Sequence, residues 1–202
     1  MNERCKGAFD AFTESIQRQS TNFIESMDYQ LYASAAQIIL DAEKRGGRTH
    51  FSGIGKPSHI AQYAASLFSS TGTPAYYLHG TEAVHGSCGQ LRAGDVVVFL
   101  SNSGETAEMR ATVAAVKNNH CHVIGISGNP SSWLAVQSEL HLPAHIDAEG
   151  GPLNRAPRMS ILAETIVLQA LSVVLQAYHN ITPQQYVSWH PGGALGVLRS
   201  GE

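Results

Sequence analysis

Cysteine is scarce in these 202 residues: Cys5, Cys88 and Cys121 are odd in number, far apart, and form no CxxC pair. That pattern rules out a disulfide framework and suits free thiols in a reducing compartment. Charge is also sparse, at 14% of residues, and 13 Lys and Arg against 16 Asp and Glu leave a net charge of −3, which argues against a nucleic-acid partner. The opening MNERCKGAFD has no apolar run and so no secretory signal, which makes a cytoplasmic protein the expectation. The most apolar long stretch, 161–177, is broken by Glu164, Gln169 and Gln176; it reads as a core or interface helix and not a membrane span. Asn180-Ile181-Thr182 matches a glycosylation sequon, which without an export signal is a chance match. What is abundant is apolar residue, 43% of the chain. A domain of this size buries roughly 70% of its unfolded surface and needs no metal or disulfide to fold.

Residues 8–45 show apolar side chains near spacings of three and four, from Phe9 through Ile16, Phe23 and Leu31 to Ile39, and Gly46-Gly47 ends the pattern. One long helix or two fit, since Ser20-Thr21-Asn22 could cap a second. From residue 48 the rhythm changes to alternating strands and helices: strands over 48–52, 75–78, 95–100, 122–126 and 139–142, helices over 57–70, 107–119, 131–136 and 161–178. Asp95–Leu100, DVVVFL, is an almost continuous apolar run, as in a parallel strand buried on both faces. The expected fold is α/β, a doubly wound parallel five-stranded sheet flanked by helices. No linker, repeat or low-complexity segment divides it. A single domain over 1–202 is expected, with a helical extension at 1–46 and the α/β core and C-terminal tail at 47–202.

In an open parallel sheet, ligands bind beyond the carboxyl ends of the strands. Ser101-Asn102-Ser103-Gly104-Glu105-Thr106 follows the buried strand directly and offers three hydroxyls, a permissive glycine and the first N–H groups of a helix. A helix N-terminus carries about half a positive charge, so this loop can seat a phosphate; the plainer reading is a Ser/Thr cap with Glu105 or Glu108 in the first turn. Gly53-Ile54-Gly55-Lys56 is an incomplete GxGxxG, and no acidic residue ends the second strand, so a dinucleotide is not expected. Lys56 could neutralise a phosphate or a developing oxyanion, or simply be solvated. His79 and His85 flank a glycine-rich loop without metal-ligand spacing. Trp189-His190-Pro191-Gly192-Gly193-Ala194-Leu195-Gly196 specifies a shaped, docked backbone in a tail that would otherwise fray.

Together, GIGKPS at Gly53–Ser58, STGTP at Ser70–Pro74, TEAVHG at Thr81–Gly86, SNSGE at Ser101–Glu105 and SWHPGGALG at Ser188–Gly196 resemble the sugar isomerase (SIS) domain family. The match is to its arabinose-5-phosphate isomerase branch, in the short form without CBS regulatory domains, and it covers about residues 30–198. The branch's Ser/Thr-rich stretch is replaced here by Arg155-Ala156-Pro157-Arg158-Met159-Ser160. The resemblance implies functional roles for Lys56, Glu108, Glu149 and His190, with His85 as a further candidate. It also implies phosphate or substrate binding at Gly53, Gly55 and the 101–106 loop, a homotetramer with shared active sites, and no cofactor, metal or membrane partner.

The implied reaction interconverts D-ribulose 5-phosphate and D-arabinose 5-phosphate. It needs a base between C1 and C2 and donors for the enediolate. A partly buried carboxylate can serve as base, and Glu149 or His85 could fill that role. His190 would open the ring or act as the partner acid, Lys56 would hold the oxyanion or phosphate, and Glu108 would orient Lys56 or a sugar hydroxyl. Two other readings remain: a non-catalytic sugar-phosphate sensor, for which no helix-turn-helix is present, and an isomerase for a different phosphosugar.

Overall fold

The structure, a computed structural model, describes residues 2–202. Two helices open the chain, α1 (Glu3–Glu25) and α2 (Tyr29–Lys44). Ser20-Thr21-Asn22 lies inside α1 and caps nothing. The break falls instead at 26–28, where Asp28 accepts the Gln30 N–H at 2.9 Å and caps α2. Then follow β1 (Thr49–Gly53), α3 (Lys56–Ser70), β2 (Ala75–Tyr77), β3 (Val96–Leu100), α4 (Ala107–Asn118), β4 (His122–Ser127), α5 (Trp133–Gln137), β5 (Leu140–Pro143), α6 (Met159–His179) and α7 (Pro183–Trp189). The last of these was not foreseen; a capping box between Thr182 and Gln185 starts it.

The sheet runs β2-β1-β3-β4-β5 with every neighbouring pair parallel. Alternation inside β3 explains why its five residues, VVVFL, are apolar throughout. Val96, Val98 and Leu100 pack with Phe51, Ile124 and Ile126 toward α2, α3 and α6. Val97 and Phe99 face Met109, Val113 and Val116 of α4 and Leu134 of α5. Each such side chain, fully buried, contributes about 1.5–3 kcal/mol relative to exposure.

Strand order reverses between β1 and β3, so their connections leave in opposite directions and open a crevice at their carboxyl ends. The opposite edge is closed by Asp95. It is fully buried and accepts from Arg48 N (2.9 Å), Arg92 N (2.9 Å), the Arg48 guanidinium (3.1 Å) and His50 Nε2 (3.0 Å). Burial alone would raise its carboxyl, yet these four donors hold it below its ordinary value. Helix α6 has 21 residues, about 31 Å at 1.5 Å per residue, and carries the chain from the crevice edge to the opposite one.

Candidate functional site

In the register of β1 with β3, Gly53 lies beside Leu100. The turn Gly53–Lys56 and the loop Ser101–Thr106 therefore flank the crevice as neighbours. Their helices share one trait. Helices α1, α2, α5 and α7 are each capped by the side chain at their own N-cap, whereas α3, starting from Gly55, and α4, starting from Thr106, have no such bond. Helix α6, starting from Arg158, also lacks such a bond, but Glu149 accepts its first N–H groups. The first turns left without any side-chain cap are thus the two that face the crevice, where an anion can take the place of a cap.

The 101–106 loop is held in shape from below. Gly104 sits at φ +66, and its carbonyl accepts the Leu134 N–H at 3.0 Å; Gly128 N donates to Asn102 O at 2.9 Å. Ser101 Oγ accepts the Gly104 N–H (3.1 Å) and Ser103 Oγ that of Glu105 (3.2 Å). Each hydroxyl still has its own proton to give, so both can donate to a phosphate oxygen while bracing the loop. Glu105 is different. Its carboxylate accepts the Trp133 N–H at 2.8 Å and pairs with Arg110, whose guanidinium lies over the Trp133 ring. The Trp133 N–H first, then Arg110, holds that carboxyl below the usual range. Its side chain thus serves as a strut for the loop, and only its backbone is left for a ligand.

Lys56 and Glu108 are exposed in the first turns of α3 and α4, and neither side chain has a hydrogen-bonding or ion-pair partner among the described residues. His85 ends a short 3₁₀ turn after β2 and is likewise exposed. This loop is anchored by Thr112, which donates to Gly80 O, and by His79 Nδ1, which accepts the Glu82 N–H at 3.2 Å. Among the described residues no group of three or more His, Cys, Asp or Glu gathers as a metal site.

Glu149 is nearly buried, in the loop between β5 and α6. Its Oε2 accepts from Arg158 N (2.6 Å) and Ser160 N (3.2 Å), so it caps α6 from outside the helix. Its own N–H donates to Asn154 Oδ1 at 2.7 Å. The N-terminal extension fixes the approach to it. Gln19 of α1, buried, accepts from Asp147 N and Ala148 N at 2.8 and 3.0 Å and donates to Ala148 O at 2.9 Å. One turn along α6 from Ser160 stands Glu164, fully buried, with neither carboxyl oxygen hydrogen-bonded. Helical side chains lean toward the N-terminus, which aims Glu164 at Glu149. Burial first, and then the Glu149 charge, pushes its carboxyl up to about 8.

His190 is not among these groups. It follows α7, its ring stacks on Tyr186 with centroids 4.1 Å apart, and its Nδ1–H donates to Tyr186 O at 2.7 Å. The adjacent Trp189 ring lies against Gly72, in the turn that enters β2. That is the amino-end edge of the sheet, away from the crevice.

Residues 44–174 match the SIS domain family. Arabinose 5-phosphate isomerase KdsD of Francisella tularensis is 37% identical over 165 residues, 82% of this chain and 50% of that protein. KdsD of Escherichia coli K12 is 39% identical over 150 residues, 74% of this chain and 46% of that protein. The chain thus spans about half the length of the curated relatives it matches. Among solved structures, E. coli CFT073 c3406 in complex with arabinose 5-phosphate superimposes with a TM-score of 0.86 at 30% identity, covering 95% of this chain and 100% of the other.

Proposed function

This chain belongs to the SIS domain family, and from that premise we propose that it is an aldose–ketose isomerase interconverting D-ribulose 5-phosphate and D-arabinose 5-phosphate. The observation that carries the reading is the pair of uncapped helices at the β1/β3 crevice, one of them reached through a loop whose serines keep free hydroxyl protons. The phosphate sits on the 101–106 loop and the first turn of α4, with Gly53 and Gly55 lining the adjacent turn. The sugar then extends toward Lys56 and the loop that carries Glu149. Lys56 holds the developing oxyanion. Glu149 moves the proton between C1 and C2, and His85, exposed on the same edge, is the other candidate for that step. Glu108, on the first turn beside the phosphate, orients a sugar hydroxyl.

His190 opens the ring in a neighbouring subunit of a cytoplasmic homotetramer. Support for this comes from its place at the far edge of its own sheet and from the apolar side chains that α1, α2 and α6 leave exposed, among them Phe9, Tyr29 and Tyr178.

Ribulose 5-phosphate in D₂O, followed by proton NMR, tests the reading. Anomeric signals of arabinose 5-phosphate with deuterium at C2 are expected, because the base exchanges its proton with solvent. Binding without any conversion would overturn it and leave a sugar-phosphate sensor.

A further inference from the structure

Next to the phosphate loop is a cleft of 560 Å³ that the proposed chemistry uses only at one wall. Lys56 forms that wall; Pro152, Leu153, Arg155, Ala156, Pro157 and Arg158 form the rest. It therefore brings three cationic side chains together. None of the three has an acidic partner within ion-pair distance among the described residues. Elsewhere in the chain Arg18, Arg48 and Arg110 pair with a carboxylate, whereas Arg4, Arg45, Arg92 and Arg199 do not; what sets the cleft apart is that three unpaired cations line one cavity.

Arg158 is also held in place. Its Nη1 donates to Ala156 O at 3.4 Å, and its guanidinium lies on Gly151, where a Cβ would overlap Nη1 and come within 3.0 Å of Cζ. The nearest carboxylate on this loop, Glu149, accepts the backbone N–H of Arg158 and not its guanidinium. The first turn of α6 is already occupied by that carboxylate. The positive charge of the cleft thus comes from side chains and remains unspent.

We propose that Arg155 and Arg158, with Lys56, bind a second anionic group, so that the crevice holds ligands charged at both ends: sugar bisphosphates or phosphorylated sugar acids. One end takes the 101–106 loop and the other takes the guanidinium forks, which match the geometry of phosphate and carboxylate oxygens. Such ligands compete with the monophosphate substrate. The inference rests on the phosphate seat of the proposed isomerase and names what binds beside it.

Calorimetry with two unreactive, matched probes, D-arabinitol 5-phosphate and D-arabinitol 1,5-bisphosphate, at fixed ionic strength tests it. The intact protein is expected to bind the bisphosphate about tenfold more tightly or better. In the Arg155→Gln, Arg158→Gln double variant most of that preference is lost, Lys56 alone keeping a small remainder, while the affinity for the monophosphate is unchanged. Lys at both positions restores part of the preference, since charge returns without the fork. Equal affinities in the intact protein, or a preference untouched by the double Gln variant, would overturn the proposal. Both residues are exposed, so thermal melting of the variants should match that of the parent. A protein that fails to convert ribulose 5-phosphate would remove the isomerase reading, while the affinity ratio would still report on the cleft.

Discussion

Gly104→Ala is the sharpest probe of how the proposed phosphate seat is built. Gly104 sits at φ +66, where an L side chain costs roughly 1–2 kcal/mol. The new Cβ would also come within 2.5 Å of Ser132 Cβ and closer still to its Oγ. Relief requires moving the start of α5, whose Leu134 N–H is bonded to Gly104 O. Overpacking of this kind costs about 1–3 kcal/mol. Together the two effects predict a loss of about 2–5 kcal/mol, and at roughly 2–4 °C per kcal/mol for a chain of this size the Tm falls by about 4–20 °C. Thermal melting by circular dichroism reads this, and KM for ribulose 5-phosphate rises because the loop backbone is reset. Combining Gly104→Ala with Ser132→Gly removes the steric part but not the backbone part, so a double-mutant cycle should show favourable coupling of about 1–3 kcal/mol. A Tm within about 1 °C of the parent for Gly104→Ala would refute the reasoning.

Ser103→Ala should raise KM for the phosphorylated sugar with little change in kcat, since it removes binding common to ground and transition states; steady-state kinetics check it. Glu149→Gln should keep the fold and lower kcat on the order of 10²-fold or more, and near-normal turnover would move the base to His85. Glu164 holds its proton to about pH 8 when folded but to its ordinary value of 4.5 when unfolded. Between those values the folded state binds the extra proton, so stability declines as pH rises across the window. Glu164→Gln should flatten that decline in denaturant titrations at pH 5 and pH 8, and an unchanged pH dependence would count against it. Variants lacking His190 or Lys56 should each be nearly inactive, yet regain activity when unfolded and co-refolded together. Mixed oligomers as inactive as their parents would place His190 in its own chain's site.

The alternation of strands and helices was legible because DVVVFL and the spaced apolar positions of the helices leave periodic traces that burial enforces. The segments 53–56, 79–86, 101–106 and 189–196 stood out because their glycines and prolines mark backbone of a particular shape. The break between α1 and α2 carried a readable signal in Asp28, but Ser20-Thr21-Asn22 competed with it, and only packing decides between two equally good caps. Helix α7 is seven residues long, too short for a period to show. Gln19 is bonded to Ala148 across 129 positions, a pairing that no local pattern announces. For Glu149, the loop nature and edge position were readable. Its engagement by Arg158 N and Ser160 N depends on how residues 150–157 fold back, which their sequence alone does not specify.

The open first turns of α3 and α4 make the ligand part of the architecture. Two helix ends lack the side-chain oxygens that stabilise the others, so the empty protein carries a local deficit at the edge where it must also keep a defined shape. An anion that fills the seat supplies the missing acceptors to the folded chain and not to the unfolded one. By mass action such a ligand adds about 2.7 kcal/mol of stability at a hundred times its Kd. For the anion of the proposed function, occupancy and resistance to opening at this edge are thereby linked: the less of it is bound, the larger the fraction of chains that opens there.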